Sequence, residues 1–98
     1  MKIWLDDIRP APEGWTHILT VEETLAWLQR GEVTHLDLDH DLGYEKTGMD
    51  VLVWIEQAIV HPTTLIPPSL YIHTMNPYAY TQMHNLIEKI KSIGRRVE

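Results

Sequence analysis

The sequence predicts a small three-layer α/β domain built on a mostly parallel sheet of four or five strands. Short apolar runs alternate along the chain with amphipathic segments of helical length, which is typical of right-handed βαβ units. Acidic and other polar residues collect where the apolar runs end. A length of 98 residues fits a single domain over residues 1–98, with one core and no room for a second.

Two strands separated by a loop are predicted at the start of the chain. Residues 2–5 form a short apolar run that ends at Asp6, as a buried strand would. Residues 8–14 contain two prolines and a glycine, so they predict a loop instead of a helix. Residues 15–19 then predict a second, shorter strand.

A helix and a third strand follow. Thr20 and Glu23 have the spacing of a capping box, and apolar residues recur at helical spacing after them. Gly31 supplies a stop at the C-terminal end of this helix. Residues 33–38 form the next apolar run and predict a strand.

The second half of the chain repeats the alternation. Apolar residues at helical spacing predict a second helix that ends before Pro62, and residues 70–72 predict a further strand. Asn76 followed by a proline has the pattern of an N-cap, and it begins a long amphipathic segment that Gly94 is expected to end. Residues 95–98 then remain for an additional edge strand.

Composition excludes several classes of protein. The chain is 44% hydrophobic and 22% charged, as ordinary folded domains are, and it has no cysteine for disulfides or thiolate metal sites. No apolar run reaches the roughly 20 residues of a membrane span, and acidic residues come too early for a signal peptide. We therefore expect a cytoplasmic protein without a membrane partner. The net charge of −6 lacks the basic footprint of a protein that binds duplex DNA.

Four aspartates are predicted to meet at one edge of the sheet: Asp6, Asp7, Asp39 and Asp41. The first pair follows the first strand and the second pair follows the strand at 33–38. If these strands are neighbours, about 4.8 Å apart, carboxylates at their ends repel by roughly 3 kcal/mol at an effective dielectric constant near 20. A divalent ion relieves that repulsion, and oxygen ligands suit Mg²⁺ or Mn²⁺. Each Asp taken alone is also explained by capping a turn or a helix.

Five more residues near this edge have side chains suited to phosphate chemistry: Arg9, His40, His73, Thr74 and Asn76. The two histidines are candidates for proton transfer, and they leave open a mixed nitrogen and oxygen site for Mn²⁺, Fe²⁺ or Zn²⁺. Arg9 is a candidate phosphate clamp or the ion-pair partner of Asp6 or Asp7. Thr74 and Asn76 have groups that can donate to a phosphate oxygen.

Four strings resemble the cyclic-phosphate-processing receiver-like domain, a divergent branch of the response-regulator receiver family. They are Trp-Leu-Asp-Asp-Ile-Arg-Pro from residue 4, Leu-Asp-His-Asp-Leu-Gly from 38, Thr-Gly-Met-Asp-Val-Leu from 47 and His-Thr-Met-Asn-Pro from 73. The resemblance implies a receiver or flavodoxin-like fold in which the paired acids and Asp39 hold Mg²⁺ and Asp39 accepts a phosphoryl group. For this branch it also implies action on terminal cyclic phosphates of RNA.

The chain also departs from an ordinary receiver. Residues 8–14 replace the first helix, the last helix is missing, and no Lys-Pro follows a fifth strand, so the fold is truncated. His40 and His73 are additions, and they favour hydrolytic acid–base chemistry over passive phosphate acceptance.

The leading hypothesis is a metal-dependent phosphoesterase. In it Asp6, Asp7, Asp39 and Asp41 hold the ion, His40, His73 and Asp39 are catalytic, and Arg9, Thr74 and Asn76 bind a phosphate substrate such as an RNA end. One competitor is a signalling receiver with Asp39 as phosphate acceptor, and another is a non-catalytic metal-binding interaction module. An RNA-repair or signalling protein is the expected partner. Arg95 and Arg96 are open to two readings, contact with RNA or a favourable helix end.

Overall fold

The structure, a computed structural model, describes residues 1–42, 46–60 and 66–97. Strands and helices alternate after the first two strands, as the sequence predicts. The elements are β1 Lys2–Leu5, β2 Thr16–Ile18, α1 Val21–Gln29, β3 His35–Leu38, α2 Gly48–Val60, β4 Ser69–Ile72 and α3 Pro77–Val97.

The four strands form one parallel sheet in the order β2-β1-β3-β4. Leu5 at the end of β1 is in register with Ile18 of β2 and with Leu38 of β3, and Leu38 is in register with Ile72 of β4. The carboxyl ends of all four strands therefore meet at one edge of the sheet. This confirms the predicted small parallel α/β fold of receiver type.

The helix ends follow the predicted capping residues. The Thr20 side chain accepts a hydrogen bond from the Glu23 amide at 3.2 Å, and Gly31 has the positive φ of 76° that follows a helix C-terminus. The Asn76 side chain accepts a bond from the Ala79 amide at 3.1 Å, with a proline as the first residue of α3. Local chain chemistry thus sets where α1 and α3 begin.

The helices lie on one face of the sheet, so the described residues form two layers where the sequence predicts three. Ile3, Leu5, Leu36 and Leu38 point into a single core that all three helices share, and each is fully buried. The side chains on the opposite face are half-buried or exposed, among them Tyr71. A right-handed connection from β1 to β2 would place its helix on that second face, but residues 8–14 form a loop instead.

The end of the chain also differs from expectation. The helix α3 continues past Gly94 to Val97, so residues 95–97 do not add an edge strand. A single glycine inside a helix costs only about 1 kcal/mol relative to alanine, so Gly94 does not end α3. Pro62, the predicted end of α2, lies outside the described residues. Among the described helices, none combines the length and the hydropathy that crossing a bilayer requires.

Candidate active site

An acidic cavity of about 370 Å³ opens at the carboxyl edge of the sheet. It lies over the ends of β1, β3 and β4, where the register places them side by side. The lining residues are Asp6, Asp7, Ile8, Arg9, Asp39, Asp41, Thr74, Met75 and Asn76. All of the site residues predicted from the sequence line this cavity except His40 and His73.

Asp6 shapes the loop that follows β1. Its carboxylate oxygen Oδ1 accepts hydrogen bonds from the amides of Ile8 and Arg9, both at 2.8 Å. The indole of Trp4 donates to the Arg9 carbonyl at 3.1 Å and fixes the same loop from the sheet. The proline-containing segment therefore has a defined conformation where it passes the cavity.

The second oxygen of Asp6 is paired with two side chains. Oδ2 lies 3.0 Å from Nε2 of His73 and 3.2 Å from Nε of Arg9. Burial alone would raise the pKa of Asp6, but the amide bonds from Ile8 and Arg9 and the contact with His73 outweigh it, so its pKa lies below the ordinary value. Asp6 is thus a buried carboxylate whose charge is already compensated.

Asp39 is the less compensated of the two buried carboxylates. Its Oδ1 accepts a bond from the His40 amide at 2.8 Å, and the nearest cation is Nη2 of Arg9 at 3.7 Å. Burial, followed by the charge of Asp6, raises the pKa of Asp39, and the His40 amide and Arg9 offset this only in part. Asp39 is therefore the residue that gains most from an added cation.

Arg9 has the ion pair that the sequence left open, with Asp6, and it approaches Asp39 as well. Its Nη2 also donates to the His73 carbonyl at 3.0 Å, which links the loop after β1 to the end of β4. The side chain is 43% exposed, so it contacts the carboxylates and still faces the cavity.

His73 lies beneath the cavity between two carboxylates. Its Nε2 faces Asp6 and its Nδ1 lies 2.6 Å from Oδ1 of Asp37. The ring stacks on Trp4, with 3.6 Å between centroids and 8° between planes. Both ring nitrogens are thus already in contact with protein groups. Asp37 is a residue of this cluster that the sequence did not single out, and its position between Leu36 and Leu38 was the available signal.

His40 lies beside the cavity without lining it. Its backbone amide donates a hydrogen bond to Asp39. Its Nδ1 is 3.6 Å from Oδ1 of Asp41, whose side chain is 81% exposed. Nδ1 has no hydrogen bond to any of the described residues. Of the two predicted proton-transfer histidines, His40 is the one with a nitrogen still available.

One comparison with known proteins bears on this geometry. The sequence model of the family described as cyclic-phosphate processing Receiver domain matches residues 1–89. The chain belongs to this family. No curated protein and no solved structure matches the chain. The match confirms the resemblance drawn from the four strings, and in this receiver domain Asp39 directly follows β3.

Among the described residues, one set has ligand atoms close enough together to hold a single metal ion. Ligand atoms of Asp6, Asp39 and His73 lie within 4.8 Å of one another, a distance that one ion can bridge. However, His73 and Asp6 already satisfy each other, so an ion there would have to displace a contact. Asp7 and Asp41 line the same cavity as Asp39, and they supply the oxygen ligands that Mg²⁺ and Mn²⁺ favour.

The raised pKa of Asp39 gives a first prediction about the metal-free receiver domain. A carboxyl group with a raised pKa binds its proton more tightly in the folded state, so the free energy of unfolding falls as pH rises through that pKa. The fall begins near the unfolded value of about 3.9. Asp39→Asn removes this contribution, and the variant should gain stability relative to the wild type as the pH rises.

Denaturant unfolding of both proteins in chelator, from about pH 4 to neutral, measures this difference. Asp6 has a lowered pKa, so its contribution to stability is lost as the pH falls below about 3.9. That loss lies outside the pH range of the measurement. Glu32→Gln, an exposed change at the opposite edge of the sheet, should follow the wild type. A constant difference between Asp39→Asn and the wild type would contradict the prediction.

Proposed function

We propose that this receiver domain hydrolyses a phosphate ester, a terminal cyclic phosphate of RNA, with Mg²⁺ or Mn²⁺ as cofactor. One observation carries the proposal: Asp39 is buried, poorly compensated and open to a cavity that also holds Asp7, Asp41 and Arg9. That combination of acidic ligands and one exposed cation fits a metal-bound phosphate. The family description supports the cyclic phosphate as substrate class.

We assign the divalent ion to Asp7, Asp39 and Asp41, because their carboxylates line one cavity and carboxylate oxygens suit Mg²⁺ and Mn²⁺. Asp6 has four hydrogen-bonded or ionic contacts, so we assign it to holding Arg9 and the loop after β1. When bound, the ion supplies positive charge to a phosphoryl oxygen and lowers the pKa of a water ligand. His73 contacts Asp6 and Asp37 with its two nitrogens, and we assign it to positioning Asp6 instead of proton transfer.

Three side chains at the cavity have donors left for the phosphate. Arg9 uses part of its guanidinium for Asp6 and the His73 carbonyl, and it is partly exposed. The Thr74 hydroxyl accepts a bond from the Asn76 amide at 3.2 Å, which leaves its proton to donate. The Asn76 side chain caps α3 through its oxygen, which leaves its amide protons free for the phosphate.

Hydrolysis of the cyclic ester joins a water oxygen to phosphorus and breaks one of the two ring P–O bonds. The water loses a proton, and the released sugar oxygen takes one. His40 is suited to exchange these protons with the cavity through its neighbour Asp41, because its Nδ1 lies 3.6 Å from Oδ1 of Asp41 and has no hydrogen-bond partner among the described residues. The product is a terminal phosphomonoester.

The test uses purified protein with Mg²⁺ or Mn²⁺ and an RNA oligonucleotide that ends in a 2′,3′-cyclic phosphate. We expect conversion to a monoester that a phosphatase can then remove, and no conversion in chelator. Asp39→Asn should lower the rate by about a hundredfold, because it removes a charged ligand of the ion that acts on the phosphate. Glu32→Gln is the matched carboxylate-to-amide control and should retain the wild-type rate.

Absence of conversion with either metal would overturn the proposal. The position of Asp39 at the end of β3 specifically favours the second candidate, a phosphate acceptor in signalling. Intact mass after treatment with acetyl phosphate distinguishes the two functions. A stable phosphoryl group on the wild type but not on Asp39→Asn, together with no hydrolysis, would assign the domain to signalling.

A further inference from the structure

Two strongly exposed apolar side chains line the acidic cavity. Ile8 is 82% exposed and Met75 is 86% exposed, and both border the same space as the aspartates. Single exposed apolar residues are common on protein surfaces. Two of them lining one charged cavity suit a ligand that carries a phosphate and also has an apolar surface.

Both side chains project from loops whose backbones are fixed. The Ile8 amide donates to Asp6, and the neighbouring Arg9 donates to the His73 carbonyl across the end of β3. On the other side, the Asn76 amide donates to the Thr74 hydroxyl directly around Met75. The two apolar groups are therefore presented by ordered loops that are joined to each other, and little conformational entropy is lost when they bind a ligand.

The spacing of the strands and the volume of the cavity leave room for a flat ring. Ile8 follows β1 and Met75 follows β4, with β3 between them, so the strands that lead into the two loops are about 10 Å apart. Carbon contacts on both faces of a ring need about 7–8 Å. The cavity of about 370 Å³ holds more than a phosphate, whose few heavy atoms occupy on the order of 100 Å³.

We propose that Ile8 and Met75 form a nucleobase clamp, which holds the base of the terminal nucleotide while its phosphate lies in the acidic cavity. The inference rests on the proposed function. It adds how the base of the terminal nucleotide is bound, which the proposed function does not specify. A branched aliphatic group and a polarisable thioether contact the faces of a base and do not read its edges. The clamp thus selects nucleotides over other cyclic phosphates and accepts all four bases.

Methyl NMR of the isoleucine δ1 and methionine ε groups tests the clamp by binding instead of turnover. The probes are adenosine 2′,3′-cyclic phosphate and ribose 2′,3′-cyclic phosphate, which lacks the base, each with Mg²⁺. Ring currents of a bound base should shift the Ile8 and Met75 methyl signals with the adenosine probe alone. Ile66, which is 84% exposed and lies outside the cavity, is the control in the same spectrum.

Ile8→Ala and Met75→Ala should each weaken binding of the adenosine probe by roughly threefold to tenfold, the loss of one partly buried apolar side chain. Binding of the ribose probe should stay unchanged, as should both affinities in Ile66→Ala. Absence of selective methyl shifts, or equal affinity for the two probes, would overturn the clamp even if RNA ends are hydrolysed. Base-dependent shifts without any hydrolysis would support the clamp and overturn the proposed reaction.

Discussion

Replacing His73 by phenylalanine will lower the free energy of unfolding by about 3 kcal/mol, since each buried hydrogen-bonding group left without its partner costs about 1–3 kcal/mol. Phenylalanine keeps a flat ring beside Trp4 but has no nitrogen for Asp6 or Asp37. Asp6 is only 1% exposed, so water cannot replace the lost contact. Denaturant unfolding at neutral pH measures the loss.

A matched control and a double variant isolate the cause. His84 stacks on Tyr80 at the exposed surface of α3, so His84→Phe should change stability by less than about 0.5 kcal/mol. Adding Asp37→Asn to His73→Phe should cost less than the sum of the two single changes, because the second change removes a charge that the first left unpaired. If His73→Phe unfolds no more easily than His84→Phe, the imidazole does not hold the two carboxylates.

Local sequence patterns were sufficient to predict the strands and helices, and to predict the sheet edge at which the strands end together. Capping residues such as Thr20 and Asn76 determine helix starts through side-chain bonds to the amide three residues later, so a short stretch of sequence contains both partners. The alternation of strands and helices implies parallel strands, and parallel strands bring their carboxyl ends together. Asp7, Asp39 and Arg9 could therefore be placed at one cavity before the structure was known.

Pairs that depend on register could not be predicted in the same way. Asp37 and His73 are 36 positions apart, and they meet because β3 and β4 are neighbours and His73 extends one residue beyond β4. The alternation of Leu36, Asp37 and Leu38 does not indicate which residue of a neighbouring strand Asp37 contacts. The role of Arg9 was undecided for a related reason, since its contacts with Asp6 and Asp39 depend on the path of a loop without regular structure.

The prediction of three layers was wrong because the crossover pattern assumes a helix in each connection between parallel strands. Residues 8–14 contain the prolines that exclude that helix and predict a loop. Without a helix in this connection, one face of the sheet keeps half-buried side chains such as Trp4 and Asp37. His73 stacks on Trp4 at this face, so the missing helix and the buried ionic cluster are linked.

Gly48→Ala will destabilise the protein by about 3 kcal/mol, at the upper end of the usual cost of overpacking. Gly48 is the first residue of α2, and a methyl group there would overlap the backbone carbonyl oxygen of Asp39 and lie 3.0 Å from the Met83 methyl. Neither the strand end nor the helix start can move without changing the cavity. Helix propensity alone predicts the opposite sign, a gain of up to about 1 kcal/mol for alanine.

Gly48→Ala should also affect the proposed reaction, because the oxygen that the new methyl group overlaps belongs to Asp39. Displacing its backbone moves the carboxylate relative to Asp7 and Arg9, so the proposed hydrolysis should fall even at temperatures where the variant remains folded. Gly14→Ala is the control: Gly14 has a φ of 88° and open space around it, so alanine costs only the left-handed strain of about 1–2 kcal/mol. A Gly48→Ala protein as stable as the wild type would show that α2 does not fix Asp39.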